Sequence, residues 1–233
     1  MTDPATERER LVARLDRQGR IERDATERAL LDVPRHEFVP DSRRNDAYAD
    51  RPLPIGEDQT ISAPHMVAMM TDLLALDPGD RVLEIGTGCG YHAAVTAAVV
   101  GAADGIGDAG DTDGTTTGDT DGERRGAVYS VEFHDPLAAT ARERLDRLGY
   151  AVHVRAGDGH EGWPAHAPYD AAYLTCAAAE LPDAVIEQVR PGGRIVAPIG
   201  RGRQTLVRAT RRADGGLDRE RHGGVRFVPM QSA

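Results

Sequence analysis

The sequence predicts an α/β fold, a doubly wound and mostly parallel sheet, on three observations. From residue 81 onward, short apolar strands alternate with helical stretches. A glycine-rich turn, "GTGCG", joins the first of those strands to the next helix, where folds of this class bind nucleotides. Two further strand-like runs close the chain with no helix between them, so the sheet is expected to end in an antiparallel hairpin.

The chain has 233 residues, enough for one domain spanning 1–233 with a sizeable core. Within it, residues 1–60 are expected to form a helical cap and an active-site loop, and 61–233 the α/β core. No apolar run approaches the ~20 residues that span a bilayer. The opening "MTDPATERERL" is charged and lacks a signal-peptide core, which points to the cytoplasm. The net charge of -10 comes from 38 acids against 28 bases, and every base is Arg. A GC-rich genome combined with a high-salt cytoplasm accounts for both features. Such a charge repels nucleic acid and anionic lipid unless a local basic patch overrides it. The candidate patch, "RGRQTLVRATRR" (201–212), reads as a β-strand with Arg on its wet face. Cys89 and Cys176 make no disulfide framework, and the eight His lack metal-ligand spacing, so no metal is expected.

Taken in order, the first 40 residues read as two helices. "ERERLVARLDRQGRI" carries Leu11, Val12 and Leu15 on one side, and "DATERALLDV" opens with Asp24 and Glu27 in the spacing of a capping box. Pro34 and Pro40 bracket a short connection. In "IGEDQTISAPHM" (55–66), Pro64 prefers the first position of a helix, which makes Ala63 the cap. Thr60 and Ser62 then both lie outside the helix. Met66, Met69, Met70, Leu73 and Leu74 continue it as an apolar stripe. The strands that follow are "RVLEI", "AVYSVE", "AVHVR", "YDAAYLT" and "GGRIVAPIG", and the closing pair is "QTLVRAT" and "VRFVP". Residues 102–125 are a Gly/Asp/Thr/Ala insertion that cannot bury a core and is expected to be a disordered surface loop.

The glycine turn, Gly86-x-Gly88-x-Gly90, is one residue short of the dinucleotide fingerprint. Glu84 stands just before it. A carboxylate there repels a pyrophosphate and suits a cationic cofactor such as S-adenosylmethionine, which carries an ammonium and a sulfonium and no phosphate. A ribose-binding acid belongs about 20 residues after the turn. Glu132 lies 46 residues after Gly86, and removing the 24-residue insertion leaves 22. Asp158 and Gly159, after the third strand, suit a turn that reads the adenine edge.

These stretches resemble the protein-L-isoaspartate O-methyltransferase family. The resemblance rests on "LPIGEDQTISAPHMVAMMTDLL", "VLEIGTGCGYHAA", "GDGHEGWPAHAPYDAAYLTCAAAELP", "VIEQVRPGGRIVAPIG" and "VRFVPM", and covers about residues 25 to 230 apart from the insertion. The chain looks like a haloarchaeal member. The resemblance implies a Rossmann-like methyltransferase fold of the seven-stranded type. It implies methyl transfer from S-adenosylmethionine to the free carboxylate of L-isoaspartyl residues in damaged proteins, whose ester then collapses to a succinimide. By the same resemblance Ser62 is the active-site hydroxyl. The segment Ile55, Gly56, Glu57 and Asp58 lies over the cofactor, and Glu84, Glu132, Asp158 and Gly159 contact it. Thr60, the second hydroxyl, is expected to order the loop on the cofactor side. A carboxylate nucleophile is already ionised at neutral pH, so no general base is needed, and no His/Asp dyad is evident.

The chain departs from the family pattern at Cys89, at His160, at Tyr173 in a strand usually aliphatic there, and in the acidic "GED" beside Ser62. Two alternatives compete: a methyltransferase for RNA or a small acceptor, and a paralogue that only binds peptides. The fourth strand ends in "LTCAAAELP" and not in the turn used to methylate exocyclic amines, and the chain is acidic. Both features count against a nucleic-acid substrate. A monomer is expected, since no apolar stripe is left unassigned.

Overall fold

The computed structural model describes residues 3–101 and 126–232, so the expectation for the 102–125 insertion lies outside the described residues. Helix α1 (Pro4–Arg17) is capped by Asp3, whose carboxylate accepts from the Thr6 N–H at 3.3 Å, and it buries Leu11, Val12 and Leu15. Helix α2 (Asp24–Asp32) departs from expectation at its start. Arg23 is the cap residue, Asp24 is already helical, and the capping box does not form. A tertiary contact decides this register, because the Arg23 guanidinium reaches across the fold to the Leu76 carbonyl at 3.3 Å.

The segment read as a loop is a hairpin. Strand β1 (Leu53–Gly56) pairs antiparallel with β2 (Gln59–Ile61). Glu57 and Asp58 make the turn, both with left-handed φ (50° and 53°), the backbone of a two-residue primed turn. Helix α3 (Pro64–Leu74) starts as expected, with Pro64 first and Ala63 as a cap that contributes no side-chain bond.

Seven strands build the main sheet, in the order β5-β4-β3-β6-β7-β8-β9. Strands β3 (Arg81–Ile85), β4 (Ala127–Glu132), β5 (Val152–Ala156), β6 (Tyr169–Leu174) and β7 (Val189–Ile199) run parallel. Strands β8 (Gln204–Arg211) and β9 (Leu217–Val225) complete it antiparallel. Most of the patch at 201–212 is thus strand, as expected, with residues 201–203 ahead of it. The last strand is not "VRFVP" but the charged "LDRERHGGV" before it. An edge strand with water beside it tolerates such a sequence. The apolar residues that follow fold back over the carboxyl ends of the parallel strands, where the Ala177 N–H donates to the Val228 carbonyl and the Met230 N–H to the Ala177 carbonyl, both at 2.8 Å.

Helices α4 (Tyr91–Val100), α5 (Asp135–Arg147) and α6 (Asp183–Gln188) follow β3, β4 and β6. Because strand side chains alternate between faces, the core divides in two. Val82, Val128, Ala171 and Val196 join the body that holds α1 to α5, while Leu83, Val131, Ala172 and Ile195 join the body around Val185. The path of the chain reverses at β3, since β4 and β5 lie to one side and β6 to the other. In open α/β sheets the crevice at such a reversal is the ligand site.

Leu83 is fully buried at the middle of β3. Replacing it with Ala removes buried methyl groups and leaves a void, so Leu83→Ala is expected to lose about 2–5 kcal/mol of stability. Urea unfolding followed by circular dichroism checks this.

Candidate functional site

A cleft opens at the carboxyl ends of β3 to β6, where the glycine turn meets the β1–β2 hairpin. Gly86 has φ 97°, a left-handed backbone that favours glycine, and a Cβ there would run into the Thr175 hydroxyl. That hydroxyl donates to the Gly86 carbonyl at 2.5 Å, so the end of β6 clamps the turn. Gly88 allows the Ile55 side chain of the hairpin to lie close above it, 3.2 Å from where a Cβ would stand. Glu132 fixes the other side. Its carboxylate accepts from the Gly88 N–H at 2.7 Å and from the His134 N–H at 3.0 Å.

The cleft is lined by Thr60, Ser62, Gly86, Gly88, Glu132 and Gly159 among the predicted residues. Both hydroxyls of the hairpin exit therefore face it, and neither has a hydrogen-bond partner among the described residues. Residues that the sequence reading missed complete the lining: Phe133 and His134 after β4, Thr175 and Cys176 after β6, and the returning Val228, Pro229, Met230 and Gln231. The run "VRFVPM" was visible, but nothing local marks it as a segment that leaves the sheet to cover a cleft. Cys89, one of the departures, also lines the cleft, and burial pushes its thiol above the ordinary value.

The other predicted residues stand behind the lining. Gly56 and Asp58 belong to the hairpin strand and its exposed tip, while the Glu57 carboxylate lies 3.9 Å from the His134 ring. Gly90 caps α4 and packs on Leu145. The Asp158 carboxylate accepts from the His160 N–H at 2.8 Å, and its oxygen lies 2.7 Å from the His160 ring nitrogen. His160 is thereby used in setting the turn that presents Gly159. A His–Asp pair does form near Ser62, between His65 Nδ1 and Asp50 Oδ1 at 2.8 Å. Its members are fifteen residues apart, which is why no dyad was legible in the sequence.

Glu84 does not line the cleft. It is fully buried beneath the turn, on the same strand face as Val82. Its register partners on either side are Ser130 of β4 and Tyr173 of β6. Both hydroxyls donate to it, Ser130 at 2.5 Å and Tyr173 at 2.9 Å. Thr96 of α4 donates to the Tyr173 oxygen at 3.1 Å, and the His92 ring sits 4.4 Å from the Tyr173 ring. Burial pushes the Glu84 carboxyl up to about 8, opposed by the two hydroxyl donors, and pushes His92 down to about 3.

Among the described residues, the lining contains one carboxylate, Glu132, and no Arg. A phosphate finds no cation to neutralise it there, whereas a cationic ligand without phosphate fits. Glu84 also carries a consequence for stability. An acid whose folded value lies above the ordinary 4.5 holds its proton longer in the folded state, so stability falls as pH rises from about 4.5 to about 8. Glu84→Gln is expected to remove this decline and to raise the melting temperature most at pH 8 and above. Thermal melts of both proteins from pH 5 to 9 check it.

Comparison with known proteins places the chain in one family. Residues 6–233 match the model for "Protein-L-isoaspartate(D-aspartate) O-methyltransferase (PCMT)". The chain is 46% identical over 225 residues to protein-L-isoaspartate O-methyltransferase 2 of Archaeoglobus fulgidus, covering 96% of this chain and 92% of that one. It is 41% identical over 235 residues to the Methylorubrum extorquens protein of the same name, covering 98% and 92%. Among solved structures, a protein-L-isoaspartate O-methyltransferase superposes with a TM-score of 0.81 at 31% identity, covering 97% of this chain and 66% of the other. A Plasmodium falciparum protein described as a putative member, in complex with S-adenosyl-L-homocysteine, superposes with a TM-score of 0.77 at 22% identity and speaks for the fold alone. The chain belongs to the protein-L-isoaspartate(D-aspartate) O-methyltransferase family.

Proposed function

We propose that this chain methylates the free carboxylate of L-isoaspartyl residues in damaged proteins, with S-adenosylmethionine as donor and Ser62 as the hydroxyl that orients the acceptor. The observation that carries the residue assignment is the free hydroxyl of Ser62 in a cleft whose single carboxylate is already engaged by backbone N–H groups. The donor supplies a methyl group on a cationic sulfur, and the acceptor carboxylate is ionised without help at neutral pH. What remains for the protein is to hold the two in line and to keep water out, a task of proximity and orientation.

Each element contributes to that task. Ser62 is fixed outside the first turn of α3 by Pro64 and Ala63, so its hydroxyl is not spent on capping. A neutral hydroxyl steers a carboxylate without protonating it. Thr60 presents a second hydroxyl from β2. Ile55 and the hairpin cover Gly88 from one side and Val228 to Met230 close the other. Glu132 is assigned to the ribose hydroxyls, with lone pairs beyond those taken by Gly88 and His134. Gly159, turned inward by Asp158, is assigned to the adenine edge. The His65–Asp50 pair has no proton to remove from an ionised acceptor and is not needed as a base.

Glu57 and Asp58 place two carboxylates at the exposed tip of the hairpin that borders the cleft and repel an anionic acceptor in dilute salt. At 1 M ionic strength the screening length falls to about 3 Å. Together with 38 acids against 28 bases, all Arg, along the chain, this supports a high-salt cytoplasm, and the lack of an unassigned apolar stripe in the sequence supports a monomer as the working form.

In molar potassium chloride, a synthetic isoaspartyl peptide is expected to accept methyl groups from labelled S-adenosylmethionine while its aspartyl isomer does not. Ser62→Ala removes a hydrogen bond to a charged group, worth about 1.5–3 kcal/mol, and is expected to lower kcat/KM roughly tenfold to hundredfold with cofactor affinity unchanged. Full activity of the variant contradicts the role given to Ser62. Glu132→Gln is expected to weaken cofactor binding by a similar factor, read by titration calorimetry.

A further inference from the structure

We propose that Glu84 is a neutral carboxylic acid in the cofactor-free protein and becomes the counter-charge of the cationic cofactor on binding, so that the binding of S-adenosylmethionine expels a proton. This rests on the reading of the cleft as the S-adenosylmethionine site and assigns a chemical role to a residue that does not line it.

The geometry is a row across the sheet. Ser130, Glu84 and Tyr173 are register neighbours on β4, β3 and β6, all on one face and all fully buried. Two hydroxyl donors are fewer than a carboxylate with two oxygens asks for, and a buried charge without a counter-ion is strongly disfavoured. Among the described residues, the groups around Glu84 supply no cation. From β4 come Ser130 and Glu132, whose negative charge adds to the bias for the protonated form. From β6 comes Tyr173, and beyond it Cys176, whose thiol burial and the Glu132 charge raise to about 12. From α4 come Thr96, on the Tyr173 oxygen, and His92, against the Tyr173 ring, and burial holds that histidine neutral. Burial sets the Glu84 carboxyl at about 8, so at pH 7 it carries its proton.

The row reaches the cleft at the Thr87 hydroxyl and at His92, whose ring lies against Tyr173. Ser130 Oγ lies 2.5 Å from Thr87 Oγ1, and Thr87 lines the cleft in the glycine turn. A cation seated on that turn lies over a buried acid in a medium of low dielectric, where opposite charge favours ionisation. In the neutral form the carboxyl proton is given to Ser130 Oγ, 2.5 Å away, and Ser130 donates on to Thr87; on ionisation the Ser130 hydroxyl turns back to Glu84, so both oxygens have a donor without movement of a heavy atom. Tyr173 also explains itself in this way. An aliphatic residue at that register position leaves the Glu84 carboxylate with one donor; the phenol gives it a second and draws Thr96 into the row. The product of methyl transfer has lost the sulfonium charge, so Glu84 recovers proton affinity when the reaction is over.

The sign follows from linkage. A site that binds the deprotonated protein better gains affinity as pH rises toward about 8 and levels off above it. The dissociation constant for S-adenosylmethionine is therefore expected to fall by up to about tenfold per pH unit between pH 6 and 7. Titration calorimetry at pH 7 in buffers of different ionisation enthalpy counts the protons released. The wild type is expected to release close to one proton more than Glu84→Gln, and the difference cancels any proton exchanged by the cofactor's own amino group. S-adenosylhomocysteine, which keeps that amino group but not the sulfonium, is expected to release less. Equal proton counts in the wild type and a folded Glu84→Gln overturn the proposal. Where the glutamine variant does not fold, Tyr173→Phe decides. Loss of one donor to the ionised form is expected to move the bend in the pH dependence of binding upward, and an unmoved bend overturns the proposal as well. Failure of both proteins to bind S-adenosylmethionine at any pH overturns the proposal together with the reading of the cleft, whereas normal binding without proton release overturns the proposal alone.

Discussion

A carboxyl group with no access to water sits where the sheet hands over to the glycine turn, and the site is arranged around that fact. Glu84 is tolerated in the interior because Ser130 and Tyr173 stand beside it in register and each gives it a hydrogen bond. A slip of one residue in either neighbour would point the hydroxyl to the other face and leave the carboxyl without a donor. The polar row thus holds β4, β3 and β6 in one alignment at their carboxyl ends. The glycine turn starts two residues later, with Thr175 clamping it from β6 and Glu132 from β4.

From this alignment the cleft follows. Gly86 and Gly88 bring bare backbone to its floor, Glu132 faces it from the next strand, and Gly159 closes the far end beyond β5. The walls come from outside the sheet: the β1–β2 hairpin on one side and the chain after β9 on the other. Under the proposed assignment, with Ser62 holding the acceptor at the hairpin exit and the cofactor on the sheet, the two reactants approach each other from different directions. For a reaction that needs alignment and no proton transfer, that division of labour is sufficient.

The parallel core was legible in the sequence because its signals are local. "RVLEI" and "AVYSVE" are strands with the bounds that their apolar pattern predicts, and the Pro64–Ala63 register puts Ser62 outside α3. Glu132 was legible as well, once the insertion was subtracted from its spacing. What was not legible depended on tertiary pairing. Arg23 took the cap of α2 through a carbonyl more than fifty residues away, and "VRFVP" left the sheet to a charged edge strand and crossed the cleft instead. Glu84 was recognised as an acid in an unusual place. Its burial was hidden, because Ser130 and Tyr173 lie 46 and 89 residues away and meet it only in the sheet. Tyr173, a departure from the family pattern in one dimension, proved to be a partner in three.

The central claim is that this cleft performs repair chemistry on an isoaspartyl carboxylate. The most direct measurement is a time course in which an isoaspartyl peptide is incubated with the protein and S-adenosylmethionine, with chromatography resolving the methyl ester, the succinimide and the aspartyl peptide. The prediction is that ester appears first, succinimide follows, and normal aspartyl peptide accumulates over repeated rounds while added aspartyl peptide is never methylated. Methylation of the aspartyl isomer at a similar rate, or an isoaspartyl peptide that persists unchanged beside a protein shown to bind the cofactor, would contradict it.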